Sequence, residues 1–114
     1  MDEDAALAAG RTAGLSTLVI GAALLVAPGR VGPLGGITDA RTARAVGLVD
    51  LALSPGLLGG TPRWPWLAAR TVANVATATV VARGGWTGRA TAAGLLALTA
   101  VDGRATKVLY DAGR

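Results

Sequence analysis

The sequence predicts an all-α fold, a four-helix transmembrane bundle with helices near residues 5–27, 42–60, 64–83 and 89–110. Three observations predict it. The apolar runs are longer than strands normally are and lack strict alternation. Charged residues make up only 16% of the chain and mean hydropathy is +0.50, whereas soluble domains carry about 25% charged residues. The sparse charges cluster at segment ends, and Pro and Gly punctuate the gaps between segments.

Each element follows from local signals. The first segment holds no charge from Ala13 to Ala27, and Ala5 to Gly10 extends it toward the N-terminus. It reaches the roughly 20 residues a span needs when Arg11 is included. Pro28-Gly29 ends it, and the stretch from Pro28 to Gly36 reads as a loop. Thr38 or Asp39 is placed to cap the second segment. That segment is interrupted by Asp50 and by Ser54-Pro55-Gly56, where proline removes a hydrogen bond and predicts a kink just beyond Asp50. Trp64-Pro65-Trp66 opens the third segment, with Pro suited to a first helical turn and Trp to a headgroup boundary. It ends at Arg83-Gly84-Gly85, and Trp86 falls in the following short loop. The fourth segment starts near Thr87 or Gly88 and is the weakest span, since Asp102, Arg104 and Lys107 follow its apolar stretch. Val and Thr in the third segment favour strands, but the missing period-2 pattern argues against that reading.

Composition excludes several functions. The chain has no Cys and no His, which removes disulfides, thiol chemistry and the usual zinc and haem ligands. No cofactor is expected. The net charge is +4 with a pI near 11.1, but the eleven basic residues are dispersed, so nucleic acid is not an expected partner. Basic residues flanking apolar segments suit anionic headgroups instead. Six basic residues lie toward one side and five toward the other, which sets no orientation. Met1-Asp2-Glu3-Asp4 lacks the positive region of a secretory signal, so the first segment is expected to remain as a helix. A bias toward Ala, Gly and Arg points to a GC-rich bacterial source.

Charged and amide residues inside the segments are costly in lipid unless paired. At 1.5 Å per residue, Arg11, Arg70 and Arg104 lie about 9 Å from one side, Asp50 and Asp102 about 12–14 Å, and Asn74 about 15 Å. These six residues form the candidate polar band. Arg44 belongs near the other side. The band reads either as ion pairs that fix helix register or as a proton, ion or anionic-ligand site, and the register reading is preferred. Arg70 is expected to pair with Asp50 or Asp102. No catalytic set competes, because Ser16 and Ser54 lack a His partner and no phosphate-loop pattern is present.

Two weaker patterns remain. Arg11-x-x-Gly14-Leu15-x-x-Leu18 is echoed by Arg44-x-x-Gly47-Leu48-x-x-Leu51, with Leu24-Leu25 matching Leu57-Leu58 at the same offset. Coincidence is slightly favoured in a chain this rich in Leu, Gly and Arg. Small residues recur at helical spacing in the rows Ala6, Gly10, Gly14 and Ala69, Ala73, Thr77, which would allow close helix approach.

Leu24-Leu25-Val26-Ala27-Pro28, then a Gly-rich loop, then Ala43 through Leu53 resembles a family of small four-helix membrane proteins common in actinobacteria. Members end helix one in "LLxP" and carry "R-x-x-G-x-R-D-L-x-L-G" in helix two, followed by a Trp-initiated third helix. Here Val49 stands for the second Arg and Ser54 for the closing Gly. Asn74 sits where an Asp is common, which implies a missing ion pair. The resemblance implies a fold and a membrane location, and no activity.

The expected function is that of a non-enzymatic integral membrane protein of the bacterial cytoplasmic membrane, multi-pass and forming a single domain over residues 1–114. Its expected partners are the lipid bilayer, other membrane proteins or a second copy, free-standing or as an accessory subunit of a larger complex. The alternatives are a small oligomeric transporter or channel using the polar band, and a peripheral or soluble helical bundle.

Overall fold

The computed structural model describes all 114 residues and is entirely helical, without strands. Four long helices make the bundle: α1 (Glu3–Val26), α3 (Ala40–Gly59), α4 (Trp64–Val81) and α5 (Gly85–Ala112). A one-turn helix, α2 (Pro28–Val31), and a 3₁₀ turn (Gly32–Gly35) join α1 to α3. The expected loop from Pro28 to Gly36 is thus largely helical. Pro28 and Pro33 each occupy a first helical turn, where their missing N–H costs nothing.

The caps account for the boundaries. The Asp2 carboxylate accepts from the Ala5 N–H at 2.7 Å and starts α1 two residues before the expected position. Asp39, rather than Thr38, caps α3, accepting from the Arg41 and Thr42 N–H groups and from the Thr42 hydroxyl. These hydrogen bonds hold its carboxyl below the usual carboxylate range. The α5 helix begins at Gly85, so Trp86 lies in its first turn and not in a loop.

Helices α1 and α3 form one antiparallel pair and α4 and α5 another. The α1 helix also packs on α5, while the α3/α4 seam is looser and holds a shallow apolar cleft of about 230 Å³. The buried stripe of α1 is Ala6, Gly10, Ala13, Gly14, Thr17, Gly21 and Leu24. Spacings of three and four place these residues on one face. Glycine sets the distance to α3: a Cβ at Gly21 would lie 2.9 Å from the Gly47 carbonyl oxygen, and a Cβ at Gly47 would lie 2.9 Å from that of Gly21.

The echo between the first two segments has a structural counterpart. Gly14 faces Leu57 and Leu58, while Gly47 faces Leu24 and Leu25. Shifting the buried Gly10, Gly14, Gly21 and Leu24 by the offset of the echo gives Ala43, Gly47, Ser54 and Leu57, all buried. At these four positions the α1/α3 pair is approximately two-fold symmetric in its packing, while Ala6, Ala13 and Thr17 shift onto Asp39, Val46 and Asp50, none of them buried.

The second small-residue row does not survive. The buried face of α4 is Leu67, Arg70, Asn74, Ala78 and Val81, while Ala69 is exposed and Ala73 only half-buried. The burial of Arg70 and Asn74 together with Leu67, Ala78 and Val81 turns the alanine row away from the core.

Two apolar clusters close the ends of the bundle. Ala6, Ala13, Leu57, Leu67, Ala105 and Leu109 pack at the end carrying the termini. Leu24, Ile37, Ala43, Ala78, Val81 and Ala92 pack at the other. Trp64 and Tyr110 meet edge to face at 4.9 Å beside the first cluster. Gly36, at φ +89°, ends the 3₁₀ turn in the left-handed region and lies against the Gly88 backbone, docking the α2 connection on α5.

The α1 helix alone is both long and apolar enough to cross a membrane by itself. In the other three helices, inward polar residues or charges near the ends lower the mean: Asp50 in α3, Arg70 and Asn74 in α4, Asp102 and Arg104 in α5.

Candidate functional site

Between the two apolar clusters lies a polar layer. Arg70 and Asn74 sit four residues apart on α4, so both point to one face. That face looks at Asp102 on α5. The Arg70 Nε donates to Asp102 Oδ2 at 3.0 Å, and the Asn74 amide nitrogen donates to the same oxygen at 2.9 Å. The Arg70 Nη1 donates to the Ala13 carbonyl of α1 at 3.3 Å, and the Thr17 hydroxyl donates to that carbonyl as well. Three helices are thereby tied at one level. Arg70, Asn74 and Asp102 are only 7%, 6% and 3% exposed. At such burial the Arg70–Asp102 pair escapes the solvent screening that makes surface pairs weak.

The six residues of the candidate band divide accordingly. Arg70, Asn74 and Asp102 are joined directly. Asp50 is half-buried and lines the same cavity as Arg70 and Asn74, and no hydrogen bond or ion pair reaches its carboxylate. Arg11 and Arg104 are exposed and lie outside the layer. Depth alone placed them there, but angle separates them. Arg104 is two residues beyond Asp102, about 200° around the helix, so it faces outward when Asp102 faces inward. Arg11 lines a shallow basic pocket with Arg63 and Arg114 near the chain termini. In that pocket the Arg63 Nη2 donates to the Leu58 carbonyl at 3.2 Å, and its Nε is buried without a partner.

The layer includes one residue that sequence reasoning missed. Thr17 is 1% exposed and shares the Ala13 carbonyl with Arg70. Its only signal is position, on the stripe of small residues three beyond Gly14. Ser54 is likewise buried, and its hydroxyl donates to the Asp50 carbonyl at 2.8 Å, one residue before Pro55. The α3 helix runs on through Pro55 to Gly59.

Above the layer, toward the α2 connection, lies a cavity of about 320 Å³ bordered by all four long helices and the 3₁₀ turn. Its walls are mainly Ile20, Leu24, Val46, Val81, Leu95 and Leu98, and its polar end is Asp50, Arg70 and Asn74. No group of His, Cys, Asp and Glu is arranged to hold a metal ion. The fold and site define an all-helical bundle with an internal ion-pair layer and an adjoining amphipathic cavity. No protein-family model matches this chain, and no curated protein or solved structure matches it either.

Proposed function

We propose that the chain is a non-enzymatic integral membrane protein, a four-helix bundle spanning the bacterial cytoplasmic membrane and related to the small actinobacterial membrane proteins it resembles. One observation carries this reading. In the stretches 12–29, 45–62, 64–82 and 90–103 the only charged residues are Asp50, Arg70 and Asp102, of which two are buried and one half-buried. The exposed charges lie outside these stretches, Arg11 and Arg104 eight residues in from their helix ends and the others nearer an end or in a connection. The exposed surface between is apolar, including Leu15, Val19, Leu48, Val72, Leu96 and Val101. A continuous apolar belt of this kind marks a surface meant for lipid or protein rather than water.

Dimensions agree with the proposal. The longest extent is 40 Å, close to the thickness of a bilayer with its headgroups, about 40–45 Å. The helices of 18 to 28 residues correspond to about 27–42 Å at 1.5 Å per residue. Trp64, Trp66 and Tyr110 mark one end, and Trp86, 85% exposed, marks the other, as interfacial aromatics would. Mean hydropathy understates α4, because the two residues that lower it most, Arg70 and Asn74, face inward. The bilayer is the primary partner, and the Arg70–Asp102 layer serves as an internal clamp on helix register.

Extraction tests this directly. Expressed in a bacterial host, the protein is expected to stay in the pellet after an alkaline carbonate wash and to be released by mild detergent. Recovery of a folded monomer in the carbonate supernatant would overturn the proposal and favour a peripheral bundle.

A further inference from the structure

The cavity beside the polar layer has an unbalanced lining. Arg70 and Asp102 neutralise one another, which leaves the Asp50 carboxylate without a protein counter-charge in contact. With Arg11 and Arg104 outside, the ionised interior holds one cation and two anions. An anion taken partly out of water without a partner is costly. A bound cation at this position would supply what the protein withholds.

The Asn74 amide nitrogen, the Arg70 Nε and Nη1 and the Thr17 hydroxyl each donate once to a protein acceptor, while the Arg70 Nη2 and one further N–H on each of Arg70 Nη1 and Asn74 donate to none. At Asp50 itself the capacity is acceptor only, since neither carboxylate oxygen receives a hydrogen bond from the protein. Apart from Thr77 and Thr91 the rest of the wall is mainly aliphatic, and a volume of about 320 Å³ is at the lower end of the range for small-molecule sites, about 300–1,000 Å³.

We propose that this cavity binds a small organic ammonium ion, its N–H groups on the Asp50 carboxylate and its apolar body against Leu24, Val46 and Leu95. An inorganic cation would leave the aliphatic wall unused. A carboxylate or phosphate would meet Asp50 at short range. The claim is one of binding, and it goes beyond the membrane reading because it depends only on the bundle interior.

Three ring compounds of nearly equal shape test it: cyclohexylammonium, cyclohexanol and cyclohexanecarboxylate. Binding to the purified full-length protein in detergent is measured by equilibrium dialysis at neutral pH against protein-free micelles. Cyclohexylammonium is expected to bind at least tenfold more tightly than the alcohol, and the carboxylate least. Asp50→Asn should bring the ammonium down to the level of the alcohol. Leu95→Trp, which fills the cavity without changing charge, should weaken ammonium and alcohol together. Equal binding of ammonium and alcohol by the parent protein overturns the proposal, as does preference for the carboxylate, which would make Arg70 the dominant group. Binding no greater than to empty micelles overturns it too. These ratios are read independently of carbonate extraction, so failure of one does not imply failure of the other.

Discussion

Removing the Asp102 side chain should be among the most damaging single changes to this protein. Asp102→Ala deletes the acceptor of two hydrogen bonds, from Arg70 at 3.0 Å and Asn74 at 2.9 Å. Hydrogen bonds to a charged group are worth about 1.5–3 kcal/mol each. The larger effect is on what remains. Arg70 keeps only its weak 3.3 Å contact to the Ala13 carbonyl and becomes a buried charge without a counter-ion. Breaking a buried pair by removing one partner costs about 3–5 kcal/mol. The side chains of Arg70 and Asp102 are 9% and 4% exposed, so little discount for solvent applies.

The double variant Arg70→Met with Asp102→Leu separates this account from simple loss of volume. Replacing both members by apolar residues of similar size is often neutral or stabilising. The double change should therefore be much milder than Asp102→Ala alone. Equilibrium unfolding in mixed micelles, followed by near-UV circular dichroism, measures all the variants on one scale. If Asp102→Ala and Arg70→Met each cost less than about 1 kcal/mol and their effects add, the two side chains are not energetically coupled. The polar layer would then have no part in holding the bundle.

Other positions give further tests. Gly47→Leu should separate α1 from α3, since even a Cβ at Gly47 would lie 2.9 Å from the Gly21 carbonyl oxygen; an unchanged midpoint would contradict the close packing. Gly56→Ala should shift the Trp66 fluorescence, because the added methyl would overlap the indole ring and force it to move. Asp39→Ala should fray the start of α3, seen as faster amide exchange at Arg41 and Thr42. Because folding lowers the Asp39 pKa, its contribution is fully present above the ordinary carboxylate value of 3.8 and is lost as pH falls through the lowered folded value, whereas the Ala variant should lack this acid sensitivity.

Much of the architecture was legible because helix ends are written locally. Asp39, Pro28, Pro65 and the Gly pairs set boundaries that the structure places within a few residues of expectation. The short α2 escaped because Pro and Gly signal a break from a long helix equally well when a single turn follows. Depth was also legible, since 1.5 Å per residue is nearly invariant. Azimuth was not. Arg11 and Arg104 share the depth of Arg70 but not its direction, and direction depends on which neighbouring helix lies where. Arg70 was readable because it is the only charge in its segment. Thr17 was not, because a threonine on an apolar helix turns inward or outward at little intrinsic cost, and its bond to the carbonyl four residues back forms on either face, as at exposed Thr79.

The division of labour between the small residues and the polar layer follows from what each can specify. Glycine and alanine allow α1 and α3 to approach closely, but a row of small side chains is nearly smooth. Sliding one helix past another by a turn, about 5.4 Å, replaces one small residue by the next. In the bilayer setting proposed for this chain, no hydrophobic driving force opposes such a slip. The approximate symmetry of the α1/α3 pair makes the problem worse, because similar contacts recur along both helices. A hydrogen bond of about 3 Å between Arg70 and Asp102 cannot survive a displacement of 5.4 Å, and neither can the Asn74 contact to the same oxygen. The Arg70 bond to Ala13 extends this constraint from the α4/α5 pair to α1. The apolar clusters at the two ends supply adhesion, and the single polar layer between them selects one register from several that adhesion alone would tolerate.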